Sequence, residues 1–266
     1  MNVPVYSLTG TEKGKIKLAK IFSEPVRADL IKRAVLAEQS LNRQPYGSDP
    51  LAGFRTSAHY HGQRHYRYGM MNREMARMKR IHGGVGFLAM RARVVPQAVK
   101  GRKAHPPKVE KKWEKKINKK EWLKAFYSAI SATAKKDIVS ERNHDISEVK
   151  HIPLVVEDKL QEVKNTSEIR KILKKLGLSK ELKRTAQTKT RAGRGKTRGR
   201  KRKTRKGPLI IVSEYKGIEK AGKNLPGVEV VKLDKINIDM LAPGTKPGRL
   251  CIWTKSAIEL LLKTAK

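Results

Sequence analysis

From Arg43 to Pro107 the chain runs for 65 residues without a sustained apolar period. Connections inside compact domains are usually roughly 4–6 residues long, so this stretch is not an ordinary loop. It holds eight glycines, five of the chain's seven histidines and 13 Lys+Arg, against two acids, Asp49 and Glu74. Without a periodic apolar face it has little to bury, so it is either disordered or ordered by a partner. Run out and back at roughly 3.3 Å per residue, it spans at most about 100 Å. One short basic helix is predicted inside it, over Glu74 to Ile81. Met70, Met71, Met75, Met78 and Met90 are read as adaptable contacts rather than as a core.

The flanks are different. Val3 to Leu8 and Lys15 to Leu18 read as strands around a polar turn, Thr9 to Gly14. A helix follows, with Ser23 as N-cap and Pro25 in its first turn, on the stripe Val26, Leu30, Ala34, Ala37 and Leu41, widened by Ile31 and Val35. Beyond Pro107, Asn118 and Glu121 fit a capping box ahead of Trp122, Phe126, Ala129, Ile130 and Thr133. Thr166 or Ser167 opens a helix that ends on Gly177. Ile152 to Val156, Leu209 to Val212, Val228 to Val231 and Leu250 to Trp253 read as short strands. Helical stretches at Tyr215 to Lys223, Ile236 to Leu241 and Ser256 to Ala265 separate or follow the last three, and Ser256 with Glu259 fits a second capping box. Alternating strands and helices predict an α/β fold: a mainly parallel sheet with helices on both faces, a Rossmann-like three-layer arrangement, plus one long extended loop. The division expected is 1–42 with 108–266 as the globular domain and 43–107 as the loop.

Charge decides the class of partner. Sixty-two Lys+Arg against 24 Asp+Glu give a formal net charge of +38. Such a chain repels itself unless a polyanion neutralises it. No apolar run approaches the roughly 18 residues of a membrane span, and the start lacks a secretory pattern, so a membrane is not expected and a cytosolic setting is. The basic tract at 188–206 concentrates the signal: 11 of the 18 residues from Lys189 onward are basic and none is acidic. Lys189, Arg191, Arg194, Lys196, Arg198, Arg200, Lys201 and Arg202 are candidate phosphate contacts, with Gly193, Gly195 and Gly199 allowing close backbone approach. In the 43–107 segment the candidates are Arg43, Arg55, Arg64, Tyr66, Arg67, Arg73, Arg77, Lys79, Arg80, Arg91, Arg93, Lys100, Arg102 and Lys103. Tyrosines interleaved with these cations suit stacking on unpaired bases.

Enzyme patterns fail on context. Gly84-Val85-Gly86-Phe87-Leu88-Ala89 has dinucleotide-fingerprint spacing but follows a basic segment, not a strand. Gly195-Lys196-Thr197 resembles a P-loop end, yet position 190 is Thr190 where the first glycine belongs. There is no nucleophile elbow, and Asp137, Glu141, Asp145, Glu157 and Asp158 read as surface charge or ion pairs rather than a catalytic dyad. Catalysis is not expected. His59, His61, His65 and His82 lack accompanying thiols or carboxylates, so neither a metal nor a cofactor is expected. Cys251, between Leu250 and Ile252, reads as a buried, inert thiol.

Specific strings then carry a resemblance. Pro25 to Ile31 (PVRADLI), Gln44 to Ala58 (QPYGSDPLAGFRTSA), Arg93 to Pro107 (RVVPQAVKGRKAHPP), Thr190 to Lys196 (TRAGRGK) and Leu241 to Gly244 (LAPG) stand in order along the chain. Together they resemble the large-subunit ribosomal protein L four family, in its archaeal/eukaryotic branch. The resemblance implies a structural protein that binds large-subunit ribosomal RNA early in assembly. It implies neighbouring ribosomal proteins as further partners and no homo-oligomer. It also implies that the 43–107 loop helps to form the polypeptide exit tunnel, with a tip between about His61 and Gly86 that meets the nascent polypeptide through Arg64, Tyr66, Arg67, Arg73, Arg77 and Arg80. The alternatives are an RNA-processing or modifying enzyme, expected to show a pocket at the strand ends, and a DNA-compacting basic protein.

Overall fold

The computed structural model describes residues 2–83 and 86–264, in two compact units: Met1–Asn42 with Glu114–Lys266, and Arg43–Trp113. The first unit is a mixed α/β body. Its strands are β1 (Asn2–Tyr6), β2 (Glu12–Lys17), β3 (Leu154–Val156), β4 (Lys189–Thr190), β5 (Arg202–Lys203), β6 (Leu209–Val212), β7 (Glu229–Lys232) and β8 (Cys251–Thr254). Its helices are α1 (Ala28–Leu41), α2 (Lys119–Ala134), α3 (Lys136–Glu141), α4 (Thr166–Lys175), α5 (Ser179–Ala186), α6 (Ile218–Lys223), α7 (Ile238–Leu241) and α8 (Lys255–Thr264).

Six strands form one sheet in the order β2-β1-β3-β8-β6-β7. The β1–β2 hairpin is antiparallel and the other pairings are parallel. Side chains alternate across a strand, so a continuous apolar run such as Leu209-Ile210-Ile211-Val212 requires cover on both faces. Leu209, Ile211, Val155, Val231, Cys251 and Trp253 lie in a core with residues of α1, α2, α7 and α8. Ile210, Val212, Leu154, Val156, Val230 and Ile252 lie in a second core with residues of α4 and α6. A fully buried Leu or Ile side chain contributes about 1.5–3 kcal/mol, so these two cores can hold the body together on their own.

Strand and helix types follow the sequence pattern, but several boundaries and caps do not. Ser23 ends a short 3-10 turn, and Pro25 lies ahead of the helix rather than in its first turn. Helix α1 starts at Ala28, with Arg27 as N-cap, whose N–H donates to Ser128 Oγ on α2 at 2.6 Å. Leu41, placed on the inward stripe by spacing, is 63% exposed. Asn118 does occupy the N-cap of α2, without a side-chain cap bond. Ser256 is not the cap of α8. It sits in the first turn, where its N–H and Oγ both donate to Asp158 Oδ1, at 2.9 and 2.6 Å. Gly177 closes α4 as predicted: at φ +84° it donates to Lys174 O (3.1 Å) while Leu178 N donates to Leu173 O (3.0 Å), a Schellman pair. Helices α3 and α5 were not foreseen. Their short amphipathic runs carry too few apolar residues to stand out from charged surroundings.

Among its described residues the second unit contains no comparable core. The buried apolar side chains among them are Ala58 and Met70. Glu74 to Ile81 forms bends and irregular backbone with a bridge at Arg80 instead of the predicted helix. Isolated bridges from Arg80 to His59 and to Ala92 set three stretches of backbone side by side. Trp113 closes the unit's base, with Tyr46 stacked on it at 5.6 Å and the Arg43 guanidinium 4.0 Å from its ring centroid.

Candidate nucleic-acid interface

The 188–206 tract is an antiparallel pair, β4 with β5, joined by a cationic turn. Lys189 pairs with Lys203 and Thr190 with Arg202, and Arg191 N donates to Lys201 O at 2.8 Å. Lys189, Arg194, Lys196, Arg198, Arg200, Lys201 and Arg202 are exposed. Arg191 is half-buried because its Nε donates to Arg200 O (3.0 Å) and its side chain folds over Gly195. Among the described residues, none of the basic side chains from Lys189 to Arg205 has a carboxylate partner. Gly195-Lys196-Thr197 belongs to an exposed turn, with Thr197 Oγ1 donating to Arg194 O at 2.8 Å, and is no phosphate-binding P-loop.

The tract's return end is anchored to the body. Arg184 on α5 donates to Lys206 O at 2.8 Å, and the Lys206 ammonium pairs with Glu229. Arg249, fully buried, donates from Nε to Gly207 O (2.9 Å) and from Nη1 to Glu229 (2.6 Å) and Met240 O (2.8 Å). Arg184 is in turn held by Glu181, whose buried carboxylate accepts two Arg184 bonds at 2.7 Å each, one from His144 Nδ1 at 2.7 Å and one from Asp145 N at 3.0 Å. Burial alone would raise the Glu181 carboxyl; its hydrogen bonds outweigh that and hold it at about 2. Burial pushes His144 down, against the pull of Glu181, to whose carboxylate its Nδ1 donates.

Beside this anchor lies a cleft of about 420 Å³ lined by Arg142, His144, Arg184, Lys189, Lys203, Arg205, Lys206, Gly244 and Lys246, among others. Arg142 reaches across it, donating to Pro243 O at 2.7 Å and to Lys246 O. Burial and the nearby Arg249 charge push the Arg142 guanidinium down to about 10. The cleft thus concentrates positive charge that an anion would relieve. Arg142, Arg184 and Lys246 were missed as candidates because they are far apart in sequence. The Leu241-Ala242-Pro243-Gly244 string was the one pointer to this corner. Lys203, Arg205 and Lys206 lay inside the tract without being singled out.

In the second unit, Arg64, Tyr66, Arg67, Arg73, Arg77, Lys79, Lys100, Arg102 and Lys103 are exposed. Other candidates have partners within the unit. Arg55 pairs with Asp49 at 2.7 Å in an exposed bridge worth under about 1 kcal/mol. Arg93, half-buried like Arg91, donates to Val99 O at 2.6 Å. Arg80 donates to Met90 O and Ala76 O, both at 2.9 Å, so it braces the unit more than it offers charge outward. Tyr66 stacks on His61 at 4.2 Å. His82 is brought from a distant stretch to His59 and His61, with ring centroids 4.2–4.7 Å apart, and burial and the two neighbouring rings lower His61. Met70 is buried, while Met75 is exposed, so the methionines do not form a common cluster. Of the fingerprint-like string, Gly84 and Val85 lie outside the described residues; Gly86–Leu88 is a 3-10 turn with Phe87 79% exposed.

The strand ends carry no open catalytic constellation among the described residues. Gln161, Ser213 and Ser256 bond to one another at 2.8–3.2 Å, and Ser256 to Asp158, which consumes the polar groups there. Glu157 is held low by its bond from Lys13 at 2.8 Å, helped by the Leu8 N–H at 3.0 Å. Cys251 is buried, and its thiol is pushed up to about 12 by that burial, as expected of an inert group.

The sequence pattern of the ribosomal protein L4/L1 family matches residues 16–264. The chain is 45% identical to the large ribosomal subunit protein uL4 of Methanosphaera stadtmanae, over 97% of this chain and 95% of that protein. It is 46% identical to that of Nanoarchaeum equitans (98% and 97%) and 44% to that of Methanopyrus kandleri (98% of each). Identity at this level along nearly the whole length, over an α/β body with an acid-free cationic tract, places the chain in the ribosomal protein L4/L1 family.

Proposed function

We propose that this chain is a non-catalytic structural constituent of the large ribosomal subunit, bound to large-subunit ribosomal RNA in the cytoplasm. The observation that carries the reading is the unneutralised tract at 188–206, set on a folded body beside the Arg142–Arg184–Lys246 cleft. Each phosphate neutralised by such a surface contributes about 0.7–0.9 to the salt dependence of binding. The body, whose strand order and two-sided helical cover support a Rossmann-like three-layer reading, acts as the anchor. The unit from Arg43 onward extends into folded RNA, which supplies the order that the two buried apolar side chains among its described residues cannot. Exposed Arg64, Tyr66, Arg67, Arg73 and Arg77 are assigned to its RNA- and tunnel-facing tip, near the nascent polypeptide, with neighbouring ribosomal proteins alongside. Among the described residues no helix is long and apolar enough to cross a membrane. The chain acts as a single copy, not a homo-oligomer.

Deletion of Thr56 to Val94 tests the reading. The shortened chain should fold, since both cores lie outside the deletion, and should still bind ribosomal RNA. Its retention on large subunits through high-salt sedimentation should fall, and the subunits that carry it should have altered tunnel geometry. Unchanged retention and an unchanged tunnel would contradict the proposed role of this unit. Preference for duplex DNA over structured RNA in direct competition would favour DNA compaction instead.

A further inference from the structure

From spacing, the histidines of the second unit are not expected to hold a metal, because no thiol or carboxylate accompanies them. The fold supplies what spacing did not show. His59 and His61 come from one stretch and His82 from another, and one potential ligand atom from each lies within 4.8 Å of the others. Their hydrogen bonds also fix which nitrogens are free. His59 Nδ1 lies 2.9 Å from Ser57 O, and His82 Nε2 lies 3.2 Å from His59 O. A carbonyl oxygen only accepts, so both of these nitrogens carry the proton. That leaves a lone pair on His59 Nε2 and on His82 Nδ1. His82 Nδ1 is buried and has no hydrogen-bond partner. A buried imidazole nitrogen with an unused lone pair, its opposite nitrogen locked onto a backbone carbonyl, is the arrangement that metal-ligating histidines adopt.

We infer that His59, His61 and His82 form a three-imidazole site for a divalent transition metal of the zinc class, with water in the fourth position. The donor set fits: three neutral imidazoles with an open position suit Zn²⁺ and exclude hard cations, which need oxygen ligands. Zinc–nitrogen bonds of about 2.0–2.1 Å place tetrahedral ligand atoms roughly 3.3 Å apart, against the 4.8 Å within which one nitrogen of each ring already lies here. The backbone already brings the stretches together, through the His59–Arg80 bridge and the Met70 N–H donated to His61 O at 3.1 Å. Arg80 directs its guanidinium to Met90 O and Ala76 O, where two carbonyls hold it. The physical role is a staple. This unit lacks a core, and a metal tying His59 and His61 to His82 closes the chain over residues 62–81, as metals do in other small units that cannot bury enough apolar surface. The site does not depend on the ribosomal assignment.

The test uses the full-length protein, purified free of nucleic acid in high salt and stripped with a chelator. Zn²⁺ is titrated against a chromophoric chelator, and Co²⁺ is titrated with its visible d–d absorption as readout. One equivalent per chain is expected, with a four-coordinate cobalt spectrum. His61→Ala and His82→Gln should each weaken Zn²⁺ at least tenfold, while His65→Gln should leave it unchanged. Circular dichroism of each variant should show the α/β body intact. Long-range ¹⁵N spectra of the histidine rings should show Zn²⁺-dependent shifts at His59 Nε2 and His82 Nδ1. The proposal is overturned if Zn²⁺ binds no more tightly to the wild type than to the His59, His61 and His82 triple-alanine variant. Ring shifts confined to histidines outside this trio would overturn it equally.

Discussion

Replacing Glu181 by glutamine isolates the charge that holds the root of the basic tract. The carboxylate is buried and accepts four hydrogen bonds, from Arg184 twice, His144 and the Asp145 amide. Its fall from 4.5 to about 2 on folding corresponds to about 3 kcal/mol of stability, taking about 1.36 kcal/mol per tenfold change in proton affinity. The sign follows from the direction. A carboxyl with a depressed folded-state value stabilises fully above its unfolded value near 4.5 and loses that contribution as pH falls toward 2. Urea unfolding of the full-length chain at pH 7 should therefore show Glu181→Gln destabilised by about 3 kcal/mol, a midpoint shift of roughly 1–2 M. At pH 3 the wild-type carboxylate has already lost roughly half of its contribution, and the gap between wild type and variant should narrow to match. The variant also loosens Arg184, which donates to Lys206 O, so the tract's return end should exchange its amides faster. A gap that stays constant from pH 7 to pH 3 would refute the reasoning, because the penalty would then come from packing rather than from the buried charge.

Three further outcomes follow from other residues. Arg249→Met leaves Gly207 O and Met240 O without their donor and removes one cationic partner of Glu229; it should cost about 3–5 kcal/mol in urea unfolding, and adding Glu229→Gln should cost less than the sum of the two single changes. Changing Arg194, Arg198, Arg200 and Arg202 together to glutamine should lower the slope of log affinity for large-subunit ribosomal RNA against log salt by about 3, measured by fluorescence anisotropy over a potassium chloride series, with stability within about 0.5 kcal/mol of wild type. Gly177→Ala should cost about 1–3 kcal/mol in thermal unfolding, because the position has φ +84° and an added Cβ would lie 2.4 Å from Glu148 O.

Periodicity was enough to read much of the architecture. A run such as Leu209 to Val212 is apolar at every position and can only be a strand covered on both sides, and Gly177 ends a stripe that stops at Leu176. The cationic character of the tract was equally legible, because it holds eleven basic residues and no acid. The caps were not. Sequence rules look for a helix cap one to three residues away, and here Ser128 caps α1, Asp158 meets the first turn of α8, and Glu38 accepts the Ile238 and Asp239 amides of α7 at 3.2 and 2.9 Å. A local serine such as Ser23 or Ser256 then has no vacancy to fill.

Composition and order of residues alone determined that this chain has an α/β body, that its charge calls for neutralisation by a polyanion, and that one stretch has no apolar period from which to build a core. These are sums over local properties: net charge, apolar period and the lack of it. Only the tertiary structure decided which cations stay outward and which are spent inside, sending Arg194 to solvent and Arg249 to carbonyls in the interior. It also decided which histidines meet. The reason is the same in both cases: hydrogen bonds and lone pairs act over about 3 Å, and separation along the chain says nothing about distances of that size.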